Sequence, residues 1–364
     1  MAVHPAIVER TRTEQARLDF VAGMMRYNSV SVGPAMAAHY AAHAPGDAAS
    51  PPGVKDIAAF MEPSMPYRLG AFLERYNHAS MFKTCLDILE PRRAEVRGWL
   101  DRVNEPGSLG SLELDASVEP PTSYRKLEIH TQPGNYHGEF AGILYHWMIS
   151  PFFVNRDDQD GMGWALARGV PQRNYRRILD LGCGVGKSTL PYCDLYPEAE
   201  VVGVDYAAEM LKYAHRLAEE RGRKVRYLQA HAERTGLESE GFDLIVAIFL
   251  FHEMPRKARD ETVREAWRLL RPGGVFAIME SPPFKVLTEQ YSPLSAFLLD
   301  STGRRMQDPY IPEFFQEDRV EMFRRGGFAD ARDVALPNEL TGWGTGESYF
   351  FGAYPWWMTI GEKH

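Results

Sequence analysis

Two hydrophobic patterns divide this chain. Up to about residue 170, apolar positions recur at helical intervals, first over 9–25, then in the alanine-rich 35–43, and again over 57–60 and 67–90, where Pro91 marks a break. A polar AAHAPGDAASPPG loop follows the second of these stretches. Helices joined by polar turns are the predicted content, with 104–126, rich in Gly, Pro and Ser, as an irregular connection. The aromatic and histidine-bearing segment 126–153 comes next.

From about residue 176 the pattern changes to short continuous apolar runs alternating with amphipathic stretches. Ile178, Leu179 and Leu181 form one run and residues 201–204 a second, ending in Asp205. Residues 207–221 carry Met210, Leu211, Ala214 and Leu217 on one helical face, and 225–229 read as the next strand. Residues 242–249 are apolar without alternation, as a strand covered by helices on both faces requires. A helix over 261–270, the turn Arg271-Pro272-Gly273-Gly274 and a strand over 275–279 continue the series. After Gly326-Gly327-Phe328 a further strand is expected, and 349–353 is expected to pair with it. Alternating strands and helices predict an α/β domain with a largely parallel sheet.

The chemistry concentrates where the first run enters Gly182, Gly184 and Gly186. Glycines at alternate positions let the backbone approach a ligand, because no Cβ obstructs it and positive φ is accessible. A carboxylate ending the next strand, as Asp205 does, can accept hydrogen bonds from the vicinal hydroxyls of a ribose. Two nucleotide motifs fail on spacing. A phosphate-cradling loop ending at Gly186-Lys187-Ser188 would need glycine where Leu181 stands, and the dinucleotide fingerprint would need glycine where Lys187 stands.

What remains resembles the first motif of class I S-adenosylmethionine-dependent methyltransferases. The stretch Phe251-His252-Glu253 is similar to the fourth-strand signature of the group typified by ubiquinone and menaquinone biosynthesis enzymes (type 11), in which leucine-histidine-histidine often stands there. The resemblance spans about 176–355 and implies a Rossmann-like α/β domain with a mixed seven-stranded sheet and helices on both faces. That domain is assigned to 156–364, with an insertion at 281–317 that contributes to the substrate pocket, and a mainly helical N-terminal region to 1–155. S-adenosyl-L-methionine is the implied cofactor. By the same resemblance Asp180, Gly182, Cys183, Gly184, Gly186, Asp205, Tyr206, Met210, His231, Ala232, Ala247 and Phe249 hold it. His231 stands where the family usually has an acid that accepts from the adenine amino group; a neutral imidazole can still accept through one nitrogen. The implied reaction is methyl transfer to a small-molecule acceptor by in-line displacement.

His252 follows the fourth strand at its carboxyl end, and an imidazole with an intrinsic pKa near 6.5 suits proton removal at neutral pH. It is the first candidate catalytic residue, with Glu253 and His137 after it. Tyr136, Tyr145, His146 and Phe297 are candidates for the substrate pocket, with Gln132 beside them. His130, His137 and His146 lie too far apart in sequence for a compact metal motif, so no metal site is expected. A catalytically silent binding protein of the same fold and a nicotinamide-dependent oxidoreductase remain as alternatives.

A formal charge of −8 and a pI of about 5.8 do not indicate a large basic surface, which argues against a nucleic-acid substrate. Three cysteines without metal spacing imply no disulfide framework. The charged start lacks the apolar core of a signal peptide, and no apolar run approaches a membrane span, so a cytoplasmic protein with no membrane partner is expected. A small molecule is the expected partner, and a homodimer is left open.

Overall fold

The apolar runs of the second half become the inner strands of one sheet. The computed structural model describes residues 8–44, 52–153, 160–337, 339 and 354–364. Its strands are β1 (Ser111–Glu113), β2 (Arg177–Leu181), β3 (Glu200–Asp205), β4 (Arg226–Gln229), β5 (Phe242–Ile248), β6 (Leu270–Glu280), β7 (Arg332–Ala335) and β8 (Trp357–Glu362). They form an eight-stranded sheet in the order β1-β4-β3-β2-β5-β6-β8-β7. Pairings from β1 through β6 are parallel, and β8 runs antiparallel to both β6 and β7. The strand order reverses at β2, and in open α/β sheets ligands bind beyond the carboxyl ends at such a point.

The period of two explains how each strand feeds two cores. Ile178, Leu244 and Val246 bury on one face of the sheet, while Leu179, Leu181, Ile245 and Ala247 bury on the other. The first face is covered by α4 (Met65–Leu89), α6 (Ala141–Phe152) and α9 (Ala208–Glu220), through Cys85, Ile143 and Met210 among others. On the second lie α10 (Arg256–Leu269) and α14 (Arg319–Arg325), with α12 (Pro293–Arg305) and α13 (Ile311–Phe314) of the 281–317 insertion. Where α6 crosses α9, a Cβ on Gly142 would stand 2.4 Å from Tyr213 Cβ, so only glycine permits that approach.

The N-terminal half matches the helical expectation. Besides α4 it contains α1 (Arg12–Tyr27), α2 (Gly33–His43), α3 (Val54–Met61) and α5 (Arg93–Leu100), and Pro91 falls in a 3₁₀ turn, Glu90–Arg92, between α4 and α5. Thr11 caps α1 through a reciprocal pair with Glu14. Residues 104–126 differ from expectation, because they contribute β1, the eighth strand, which pairs with Arg226, Tyr227 and Leu228. Asn104 fixes it by donating to Leu112 O and accepting from Leu112 N. Residues 349–353 lie outside the described residues, and the strand that pairs with β7 is β8, further along the chain. The boundary expected near residue 155 also falls outside them. No helix among the described residues is long and apolar enough to cross a membrane.

Candidate functional site

A cleft opens at the carboxyl ends of β2 and β3. Gly182 and Gly184, both at positive φ, form part of its wall. Asp205 ends β3 and is held by the backbone, Oδ2 accepting from Gly184 N at 3.0 Å and Oδ1 from Ala207 N at 2.9 Å. Burial pushes its carboxyl up to about 6, although those N–H groups pull it back. Tyr206 and His231 present nearly parallel rings on the same wall, with Met210, Ala232 and Phe249 supplying apolar surface. The Tyr206 hydroxyl is buried without a hydrogen-bond partner among the described residues.

A second cavity adjoins the first. Tyr136, Tyr145, Phe249 and Glu253 line both. Its apolar walls come from three regions: Phe82 and Phe152 of the N-terminal helices, Trp356 before β8, and Leu299, Ile311 and Phe315 of the insertion. Its polar end is built around His252 in the 3₁₀ turn Phe251–Glu253 after β5. His252 Nδ1 donates to Glu280 Oε2 at 2.7 Å, and Glu280 Oε1 accepts from Phe251 N at 2.9 Å. On the other side, His252 Nε2 lies 3.6 Å from Asp308 Oδ2. Burial alone would lower the imidazole pKa, but Glu280, Asp308 and Glu253 overcome it and lift it to about 10.

Glu253 is equally enclosed. Its Oε1 accepts from Tyr136 Oη at 2.7 Å and faces His130 Nε2 at 3.2 Å, and its Oε2 accepts from Tyr124 Oη at 3.3 Å. Burial works to raise this carboxyl, yet His130, His252 and the Tyr136 hydroxyl hold it below its ordinary value. Asp308 is fully buried, and that burial lifts it to about 7. His130 sits at φ 54° and Phe249 at φ 55°, the left-handed region that non-glycine residues rarely occupy.

Comparison with known proteins bears on this geometry. The methyltransferase domain family model matches residues 178–274. The chain is 39% identical over 108 residues to the demethylmenaquinone methyltransferase of Thermus thermophilus, covering 30% of this chain and 48% of that one. It is 36% identical over 157 residues to the trans-aconitate 2-methyltransferase of an Azoarcus species, covering 42% and 59%. Against the ubiquinone/menaquinone biosynthesis C-methyltransferase UbiE of Syntrophotalea carbinolica it is 33% identical over 175 residues, covering 45% of this chain and 70% of that one. This chain belongs to the class I S-adenosylmethionine-dependent methyltransferases. It spans about half the length of the Thermus relative.

The cofactor of this methyltransferase family, S-adenosylmethionine, fits the first cavity. A Cβ on Gly182 would meet Leu250 Cδ1 at 2.8 Å, so the absence of a side chain there keeps the cradle open. The buried Tyr206 hydroxyl and the Asp205 carboxylate offer polar partners. Of the residues that the resemblance assigned to the cofactor, Gly182, Gly184, Asp205, Tyr206, Met210, His231, Ala232 and Phe249 line this cavity. Cys183 lines a smaller one beside Lys187. Asp180, Gly186 and Ala247 are not on the wall of the first cavity. Asp180 accepts from Ser188 Oγ and Thr189 Oγ1 beneath the turn, Gly186 makes room for the Tyr227 hydroxyl, and Ala247 is enclosed within β5.

The residues expected at the substrate end divide in the same way. Tyr136, Tyr145, Gln132, His252 and Glu253 line the second cavity. His137 does not, because the 3₁₀ turn Asn135–His137 turns Tyr136 inward and leaves His137 exposed. His146 is buried against Tyr213, whose hydroxyl is 2.9 Å from Nδ1. Phe297 packs on Tyr67 in a separate core with Met36 and Ile57. Sequence reasoning missed Glu280 and Asp308, and considered His130 only as one of three widely spaced histidines. Glu280 ends β6 as Asp205 ends β3, so the rule that found one acid could have found the other. Nothing in the spacing marks Asp308.

Proposed function

We propose that the protein transfers a methyl group from S-adenosylmethionine to a small, largely apolar acceptor bound in the second cavity, by in-line displacement. When bound, the cofactor supplies an electrophilic methyl group on a sulfonium sulfur. What supports the reading above all is the shared wall of the two cavities, with Asp205 on one side of it and His252 on the other. Asp205 and the glycine turn would hold the nucleoside end of the cofactor. Tyr136, Tyr145 and Phe249 would bound the passage between cofactor and acceptor, and much of the rate would come from holding both in line.

The lining favours an acceptor with an apolar, ring-sized body and one polar group, which would reach His252 and Glu253. Both ring nitrogens of His252 face carboxylates, which fixes the ring at the polar end of the cavity where it would help to orient the acceptor. The aromatic walls exclude water from the transfer path. The relatives' names, a quinone precursor in one case and trans-aconitate in another, do not choose the acceptor. Incubation with methyl-labelled S-adenosylmethionine and fractionated metabolites tests the proposal. Label should pass to a compact hydrophobic compound, and transfer should fall in Asp205→Ala. Tight cofactor binding with no transfer to any fraction would leave the protein as a binding module instead.

A further inference from the structure

Four side chains from three separate segments converge at the polar end of the second cavity. His130 comes from the 3₁₀ turn Ile129–Thr131, His252 and Glu253 from the turn after β5, and Asp308 from the loop after α12. One donor atom from each lies within 4.8 Å of all the others. His130 Nε2 is 3.2 Å from Glu253 Oε1, and His252 Nε2 is 3.6 Å from Asp308 Oδ2. Ligand atoms that neighbour one another around a tetrahedral divalent ion with bonds of about 2.0–2.2 Å stand roughly 3.3–3.6 Å apart. The two close pairs already have that spacing to within about 0.1 Å, and the widest pair, at up to 4.8 Å, would close by roughly 1.2–1.5 Å on binding.

Two observations separate this cluster from an ordinary ion-pair network. Asp308 is fully buried, and neither of its oxygens makes a hydrogen bond of good geometry with any of the described residues, the approach of the Tyr310 backbone N–H included. Apart from its ion pair with His252, such a carboxylate is short of the hydrogen bonds that burial demands. In addition, Glu280 takes the Nδ1–H of His252 and so aims Nε2 into the cluster. A carboxylate behind the distal ring nitrogen is the usual support of a metal-ligating histidine.

We propose that this cluster is a binding site for one divalent transition-metal cation, held by His130 Nε2, His252 Nε2, a Glu253 oxygen and an Asp308 oxygen. Two imidazoles and two carboxylates form a borderline donor set that suits Zn²⁺ first and Mn²⁺ or Co²⁺ next. The two carboxylate charges balance the ion. His130, His252 and Glu253 also line the second cavity, so the ion faces the space given to the acceptor. That last statement rests on the methyl-transfer reading, whereas the metal site does not.

The test uses the full chain, stripped with a chelator, dialysed against Zn²⁺, Mn²⁺ or Co²⁺ and measured for bound metal, with the Co²⁺ absorption spectrum as a readout of geometry. The expected result is one equivalent retained by the wild type. Asp308→Asn and His130→Gln should each weaken binding by at least about tenfold, and Glu280→Gln by about 10–100-fold through loss of His252 orientation. All three should bind S-adenosylmethionine as the wild type does, which shows that they fold. If Asp308→Asn does not fold, His130→Gln on its part-exposed turn carries the test. Failure of the wild type to retain any of the three ions would overturn the proposal, as would variants that bind metal as tightly as the wild type. Stoichiometric metal in a protein that transfers no methyl group would uphold the site and count against the methyl-transfer reading instead.

Discussion

The two cavities share a wall but are built in opposite ways. The cofactor side is local: Asp205 is fixed by Gly184 and Ala207, and the turn it faces belongs to the neighbouring strand. On the acceptor side almost every polar contact spans the chain, since Glu253 is held by Tyr124, Tyr136 and His130, and His252 by Glu280 and Asp308. Local construction lets one short motif specify a cradle for a fixed ligand. Construction from distant segments leaves the acceptor end free to vary while the cradle stays the same.

This contrast predicts separable effects. The largest is expected at His252: His252→Gln should lower turnover by about 10²-fold, the order lost when an acceptor is misplaced, while cofactor affinity measured by calorimetry stays unchanged. Lost cofactor binding in that variant would break the separation. Next comes Asp205→Ala, which should weaken S-adenosylmethionine by about 1–3 kcal/mol, the range for hydrogen bonds to a charged group. Because the Asp205 carboxyl lies at about 6, affinity in the wild type should also fall as pH drops through that value and the carboxylate protonates. A flat affinity across pH 5 to 7 would remove Asp205 from the contact.

Gly182→Ala should cost about 1–2 kcal/mol of stability in chemical denaturation, since φ 68° is unfavourable for an L-residue and the new Cβ meets Leu250. An unshifted midpoint would show that the turn tolerates side chains and is less constrained than the cradle requires. A pH-dependent effect concerns Asp180 beneath the same turn. Burial lifts its carboxyl from the ordinary 3.8 to about 7, against the pull of the Ser188 and Thr189 hydroxyls. The native state then binds more protons than the unfolded chain between those values, so stability should fall as pH rises through that window. Asp180→Asn should flatten the slope in melts taken from pH 4 to 7, and an unchanged slope would place its origin elsewhere.

The same contrast decides what could be read from the sequence. Periodicity and punctuation placed α4 within two residues at its start and one at its end, because its apolar face and the break at Pro91 are local signals. The glycine turn and Asp205 were equally legible. Three-residue β1 was not, since it is held by main-chain pairing to β4 and by the Asn104 clamp, in a segment whose composition reads as loop. His137 and Tyr136 are adjacent in sequence, and only the turn between Gly134 and Gly138 determines which of them faces inward. Asp308 reaches His252 from a distant loop, a meeting that no spacing rule describes.

Calorimetric titration of S-adenosylmethionine into the wild type, Asp205→Ala and His252→Gln, paired with labelled-methyl turnover of each, tests the central claim most directly. The account predicts that Asp205→Ala loses affinity and turnover together, whereas His252→Gln binds the cofactor as the wild type does and loses turnover alone. Equal cofactor affinity in the wild type and Asp205→Ala, or loss of affinity in His252→Gln, would contradict the assignment of cofactor to the glycine-turn cavity and acceptor to its neighbour.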